Sequence, residues 1–503
     1  MNLYQALSEK FSAAGDRVAV RMPETGLQWT FKQLAERAAQ YANLLTENGI
    51  KPGDRVAVQV EKGADALALY LGVLQSGGTY LPMNTAYTPN ELQYFVENAE
   101  PAFVVCSTGQ SSVFSSINDN VKSHFKLFTL DQDGVGTLCD SADSMAKSFE
   151  TVERDDNDLA SILYTSGTTG RPKGAMISHG NLLSNGKVLL DYWGWEEGDT
   201  LLHALPIFHV HGLFVACSCA LLNAGEMIFF KKFDARMVME ELPNATVMMG
   251  VPTFYTRLLT EQTFTRELAE NVRLFISGSA PLLEETFNEF EARTGKRILE
   301  RYGMTETGMN TSNPLDGERI AGTVGYPLPG TEVRIMDGNN KPMGAGEVGS
   351  LQVKGPNVFQ GYWRMPEKTA EEFTADGFFI TGDLGTIDAK GYVSIVGRSK
   401  DLIISGGYNI YPKEVEMILN DIEGVDESAV FAFEHPDFGE GVAAAIVKTD
   451  SQAELNKEDL IAACKEQIAG FKVPRRIVFL EELPRNTMGK VQKNVLRDLY
   501  GKQ

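Results

Sequence analysis

Residues 160–174 read ASILYTSGTTGRPKG. Ala160 to Thr165 is an apolar run of strand length, and the residues after it are glycines, hydroxyl side chains and one lysine. Glycines let backbone N–H groups approach an anion closely, and Ser or Thr hydroxyls add neutral donors, so a nucleotide phosphate is the ligand this chemistry suits. The spacing is not that of the commoner phosphate loop, G-x-x-x-x-G-K-[ST]. Gly167 and Gly170 lie three apart, Lys173 follows a proline, and Gly174 stands where the magnesium-binding hydroxyl would be. A strand running into a ligand loop is the repeating unit of parallel α/β architecture, in which ligands sit at the strand ends.

The same alternation extends outward from this stretch. Apolar runs RVAVQV, AFVVCS, ATVMMGV and RLFISG alternate with helical periodicity such as ELQYFVENA, which predicts a large α/β domain over about 28–310. Between about 321 and 397 short alternating strands with glycine turns, TEVRIMDGNNKP, GSLQVKGPN and GYVSIVGR, predict an antiparallel β subdomain. Past Arg398 the remaining residues predict a small α+β domain. The expected division is 1–397 and 398–503, set at the charged stretch GRSKD.

Composition narrows the function classes. With 67 acidic against 46 basic residues the net charge is −21, which argues against nucleic acid as a partner, and any anion site must be built locally. Residues 471–503 do this, carrying eight Lys/Arg against three acids. The start MNLYQALSEKFSAAGDR has no signal-peptide pattern and no long apolar run follows, so a protein without a membrane span, at work in the cytoplasm, is expected. The five cysteines are scattered. Cys217 and Cys219, close together in an apolar stretch, read as small buried residues and not as a metal site.

Four more stretches stand beside the opening one: ERYGMTET (300–307), TGDLG (381–385), GRSKDLIISGGYNIYPKEVE (397–416) and PRNTMGKVQK (484–493). In this order and spacing the five resemble the adenylate-forming superfamily of acyl-CoA synthetases, luciferases and peptide-synthetase adenylation domains, over essentially the whole chain. The resemblance implies a carboxylate that attacks the α-phosphorus of ATP, with pyrophosphate leaving and an acyl-adenylate remaining, and magnesium reducing charge repulsion.

It also implies roles for single positions. Thr165, Ser166, Gly167, Thr168, Thr169, Gly170 and Lys173 match the loop around the β- and γ-phosphates. Thr305 and Glu306 match catalytic positions, with Glu306 and Thr168 as magnesium ligands. Gly278, Ser279, Ala280 and Pro281, with Glu300, Arg301, Tyr302, Gly303 and Met304, match the walls around the AMP moiety. Asp383 and Arg398 match the ribose contacts, and Lys490 the catalytic lysine that meets carboxylate and α-phosphate oxygens. In the superfamily the C-terminal domain rotates between the two half-reactions. Lys400 matches the hinge, and Ser405, Gly406 and Gly407 match the tunnel that admits coenzyme A. Lys490 is in addition an expected target of a lysine acetyltransferase and a matching deacetylase, since acetylation removes its charge.

LPIFHVHGLFVA, MGVPTFYTRLL, RLFISGSAPLL and ERYGMTETGMNTSNP resemble the malonyl-CoA synthetase branch of that superfamily. Pro252 suits a helix start, which places Arg257 in the first turns of a helix entering from the acyl side, where a guanidinium can bind a second carboxylate bidentately. His211 and Ser277 are expected beside it, and Met309 is expected to close the pocket to long chains. Val210 and Gly308 are expected to leave extra room near the α-carbon, which admits methylmalonate as a second substrate. The alternative is a short- or medium-chain or aryl acyl-CoA synthetase. An amino-acid adenylation domain is disfavoured, because no aspartate for an α-amine lies in FHVHG.

Overall fold

The computed structural model describes residues 1–165, 172–405, 408–435, 438–449, 455–486 and 489–502. These pack as two compact units, one of Met1–Glu332 with Val353–Phe379, the other of Val333–Gln352 with Ile380–Gln503.

The first unit carries two largely parallel sheets. In the nine-stranded sheet the central strands Thr200–His203, Glu226–Phe229, Val247–Gly250 and Leu274–Ser277 run parallel, and Leu299–Met304 continues them before an antiparallel edge of Gly308–Ser312 and Tyr326–Pro327. Val247–Gly250 and Leu274–Ser277 are buried along their whole length, which explains their unbroken apolar sequence. In the six-stranded sheet, Leu159–Thr165 pairs parallel with Thr79–Pro82 and antiparallel with Lys173–Ser178. Helix Ala64–Gln75 buries every residue but Asp65, as a helix enclosed on all sides must. A Cβ on its Gly72 would lie 2.7 Å from Ala38 O, so the glycine permits close packing on helix Phe31–Glu47. That helix begins with a Thr30/Gln33 capping box.

The sheet order creates a crevice. Thr200–His203 lies between Glu226–Phe229 and Val247–Gly250, so the chain leaves to one side of it and returns on the other. Beyond the carboxyl ends of such strands a doubly wound sheet opens, and His203, Gly250, Ser277 and Gly278 are at or just past those ends.

The second unit holds a four-stranded sheet of Glu332–Met336, Gly349–Lys354, Phe379–Ile387 and Val393–Arg398, with the last two antiparallel. It also holds a five-stranded sheet built on the long hairpin Val425–His435/Gly439–Lys448, with helices Pro412–Asn420, Lys457–Gln467 and Lys493–Tyr500. The sheet of 332–398 was expected with the N-terminal part, yet it packs in one unit with the C-terminal residues. The division at 397/398 concerns which part rotates, and stays a proposal. Among the described residues no helix is long and apolar enough to cross a membrane.

Candidate active site

At the carboxyl end of Leu274–Ser277 the chain turns through Gly278 into Ser279, whose φ of +73° is uncommon for a residue with a Cβ. Leu282 N donates to Glu300 Oε1 at 3.1 Å, tying this turn to the next strand. Arg301, on that strand, is 3% exposed, and its Nε and Nη2 find no hydrogen-bond partner among the described residues. Burial lowers its pKa to about 10, with Tyr255, Cys219 and Glu300 opposing. The space for this guanidinium exists because residue 278 is glycine, since a Cβ there would lie 2.5 Å from Arg301 Cζ.

His211, in the π-helical turn Val210–Cys217, is 2% exposed. Its Nδ1 lies 3.1 Å from Ser279 Oγ, and its Nε2 has no partner among the described residues. Burial first, then the Arg301 guanidinium, hold its pKa well below the usual imidazole range, so the ring is neutral. Ser277 Oγ is likewise buried and without a partner among the described residues. Three polar groups in this corner thus present capacity that the protein does not consume. Buried polar groups are almost always satisfied, so the corner is shaped for an anionic, hydrogen-bonding ligand. Met309 is buried, its Cε 2.5 Å from where a Cβ on Gly303 would be, and its backbone is held on both sides by the Asn185 amide (3.0 Å each).

Two positions expected on the acyl side are placed as follows. Arg257 lies in the last turn of helix Pro252–Thr260 and is exposed, because Phe254, Tyr255, Leu258 and Leu259 take the inward face and the helical period turns residue 257 outward. Gly308 does not leave free room beside it: at φ +57° its missing Cβ would meet Asn185 Oδ1 at 2.7 Å. Val210 and Gly308 do line a cavity with Phe214, Thr305 and Glu306.

At the phosphate end, Thr165 and Lys173 face each other across an antiparallel hairpin. Ser166, Gly167, Thr168, Thr169 and Gly170 lie outside the described residues. Lys173 is buried, with Nζ 2.8 Å from Glu372 Oε1 and 4.0 Å from the Tyr362 ring centroid. The Tyr362 hydroxyl reaches Glu372 Oε2 (2.7 Å) and Glu306 Oε1 (3.1 Å), and Thr165 Oγ1 lies 3.5 Å from the same Glu306 oxygen. Burial opposes ionisation of Glu372, but Lys173 and Tyr362 outweigh it and lower its pKa. Glu306 with the Thr165 hydroxyl is an all-oxygen set that suits a hard cation such as Mg2+. Sequence reading missed Tyr362, Glu372 and Asn185. Glu372 is 199 residues from Lys173, and no local spacing signals such a partner.

In the second unit, Asp383 and Arg398 are register partners on adjacent strands, with Arg398 Nε 2.7 Å from the carboxylate. Lys490 follows Gly489, whose φ of +73° makes the turn, and Asn486 Oδ1 accepts from Lys490 N at 2.9 Å. The Lys490 side chain keeps solvent contact, yet protein packed around its ammonium lowers its pKa, with Arg398 adding to the effect and Asp383 opposing it. Lys400 lies in the 3-10 turn Ser399–Asp401, and Ser405 ends a short strand; Gly406 and Gly407 are outside the described residues.

Against protein-family models, residues 7–363 match the AMP-binding enzyme family and residues 414–490 the AMP-binding enzyme C-terminal domain. The chain is an AMP-binding enzyme. This AMP-binding enzyme is 51% identical to ATP-bound MatB from Rhodopseudomonas palustris, with a TM-score of 0.97 and 99% of each chain covered. It is 33% identical to a malonate–CoA ligase of Arabidopsis thaliana, over 99% of this chain and 88% of that one. It is also 31% identical to a long-chain-fatty-acid–CoA ligase of Yersinia pestis, over 98% and 94%. The same fold and family therefore serve acids of very different length among its relatives, and the acyl corner must decide between them.

Proposed function

We propose that this AMP-binding enzyme joins malonate to coenzyme A, using ATP and passing through malonyl-adenylate, with AMP and pyrophosphate released. The observation that carries the choice of acid is the buried Arg301 guanidinium, whose Nε and Nη2 find no partner among the described residues, beside neutral His211 and Ser277. A dicarboxylate would leave one carboxylate for the α-phosphorus and bring the other to Arg301, satisfying all three groups. An alkyl or aryl chain would leave a desolvated cation unpaired, which argues against the medium-chain and aryl readings. Arg257, exposed on its helix, is expected to contribute less than Arg301.

In the first half-reaction one malonate oxygen attacks the α-phosphorus and the bond to the pyrophosphate oxygen breaks. Lys490 would hold attacking and non-bridging oxygens as charge moves to the leaving group. Asp383 accepts from the ribose hydroxyls, and Arg398, already paired with it, keeps that carboxylate aimed. Lys173 supports the terminal phosphates. Glu306 and Thr165 would hold Mg2+, which supplies charge neutralisation at the phosphates. In the second half-reaction the coenzyme A thiolate attacks the carbonyl and AMP leaves, after residues 398–503 rotate about Lys400 so that the stretch from Ser405 replaces the Lys490 turn. Acetylation of Lys490 by a lysine acetyltransferase would stop the first step by removing its charge. Mass spectrometry of native material, finding or not finding that modification, tests this. Work in the cytoplasm, where ATP and coenzyme A are dissolved, fits these substrates.

The test of the function is pyrophosphate release with ATP, magnesium and a panel of short mono- and dicarboxylates, with and without coenzyme A. Malonate should exceed propionate and succinate. Methylmalonate should be a poorer substrate, on the cavity that Val210 lines. Propionate equal to malonate would overturn the assignment.

A further inference from the structure

Lys62 follows strand Arg55–Gln59 and is 5% exposed, an unusual place for an amine. Its Nζ lies 2.8 Å from His203 Nδ1, 2.9 Å from His203 O and 4.1 Å from the Phe229 ring centroid. His203, fully buried at the carboxyl end of Thr200–His203, places Nε2 2.9 Å from Gly212 O and 3.3 Å from Cys217 Sγ. The protonation pattern follows from the two ends. A carbonyl oxygen only accepts, so Nε2 carries the hydrogen, and Nδ1 is left as the acceptor for Lys62. Burial, then the Lys62 charge, hold the ring neutral.

Gly212 comes directly after His211. A Cβ on it would lie 2.0 Å from Pro206 O, so this part of the π-helical turn is pressed against the backbone that precedes it. Widened turns of this kind are uncommon and need support from outside their own hydrogen bonds. None of the chemistry assigned above uses Lys62 or His203.

We propose that Lys62 and His203 are positioning residues for the acyl site, the run from Lys62 through His203 to the Gly212 carbonyl holding the Val210–Cys217 turn so that His211 faces Ser279 and Arg301. This rests on the corner around Arg301 being the acyl site. Lys62 reaches it only through His203 and the backbone, so its loss should act on the acid and not on ATP.

The experiment compares Lys62→Met, which keeps the length and removes the donor, with Lys62→Gln, which restores an N–H. In Lys62→Met the KM for malonate should rise about tenfold, the scale of one lost buried hydrogen bond, with the KM for ATP within about twofold. Lys62→Gln should recover most of the difference. Malonate and ATP KM rising together, or Lys62→Gln no better than Lys62→Met, would show a merely structural role and overturn the proposal. A readout that needs no substrate separates this from the malonate assignment: 15N spectra of histidine-labelled protein, with His203→Gln assigning the signal among the six histidines. Wild-type His203 should show a single Nε2–H tautomer, and Lys62→Met a mixture. A wild-type ring protonated on Nδ1 overturns the proposal without any variant having to fold.

Discussion

The acyl corner of the first unit and the Lys490 turn of the second handle charge in opposite ways. Arg301, His211 and Ser277 are buried, and among the described residues each has hydrogen-bonding capacity left over, which on the proposed function the ligand would complete. Arg398, Asp383 and Lys490 lie together with solvent access at Lys490, and the Arg398 charge is already paired with Asp383. A corner with unspent partners selects, because an acid that does not fill it leaves a buried charge uncompensated. A cluster that balances itself can be carried about by a moving part and still function on arrival.

The largest expected effect lies on the side proposed to move. Lys490→Ala should lower adenylation, read as pyrophosphate release, by about a thousandfold. Conversion of supplied malonyl-adenylate to the thioester should be largely kept, and equal loss of both steps would break the contrast between a fixed pocket and a moving lysine. Next comes Arg301→Ala. Removing one partner of a buried ion pair costs about 3–5 kcal/mol, and at about 1.4 kcal/mol per tenfold malonate kcat/KM should fall by roughly a hundred- to a thousandfold. Propionate should hardly change, so the preference between the two acids collapses; a ratio within a few fold of wild type would sink Arg301 as the second-carboxylate site.

Lys400→Pro fixes φ at the expected hinge and should slow one half-reaction by roughly tenfold more than the other. Uniform mild loss would put the pivot elsewhere. Arg257→Ala sharpens the same comparison from the exposed side: a solvent-screened charge contributes at most about 1 kcal/mol, so malonate kcat/KM should fall less than about fivefold. The smallest effect concerns pH. Lys490 must be charged for adenylation and its pKa is lowered, so activity should fade with rising pH earlier than for an ordinary lysine. The weaker variant Lys490→Arg, whose guanidinium stays protonated, should lose that alkaline limb in its pH profile.

Much of this was legible in the chain. The strand runs around 55, 103, 160, 247 and 274 all form strands, and Pro252 starts its helix, because both are local consequences of apolar pattern and backbone restriction. Asp383 and Arg398, both expected near one sugar, lie opposite each other on adjacent strands. That Arg301 is buried while Arg257 is exposed was not legible. Which one is buried depends on what packs around a nine-residue helix and a six-residue strand.

By itself the sequence determined the superfamily chemistry: five short motifs whose residue types suit phosphate, ribose, adenylate and thiol, each readable within about twenty residues. Only the tertiary structure decided which charges go unpaired. Lys173 meets Glu372 across 199 positions, and Lys62 meets His203 across 141. The desolvation of Arg301 is a property of everything packed around a side chain and of no stretch of sequence alone.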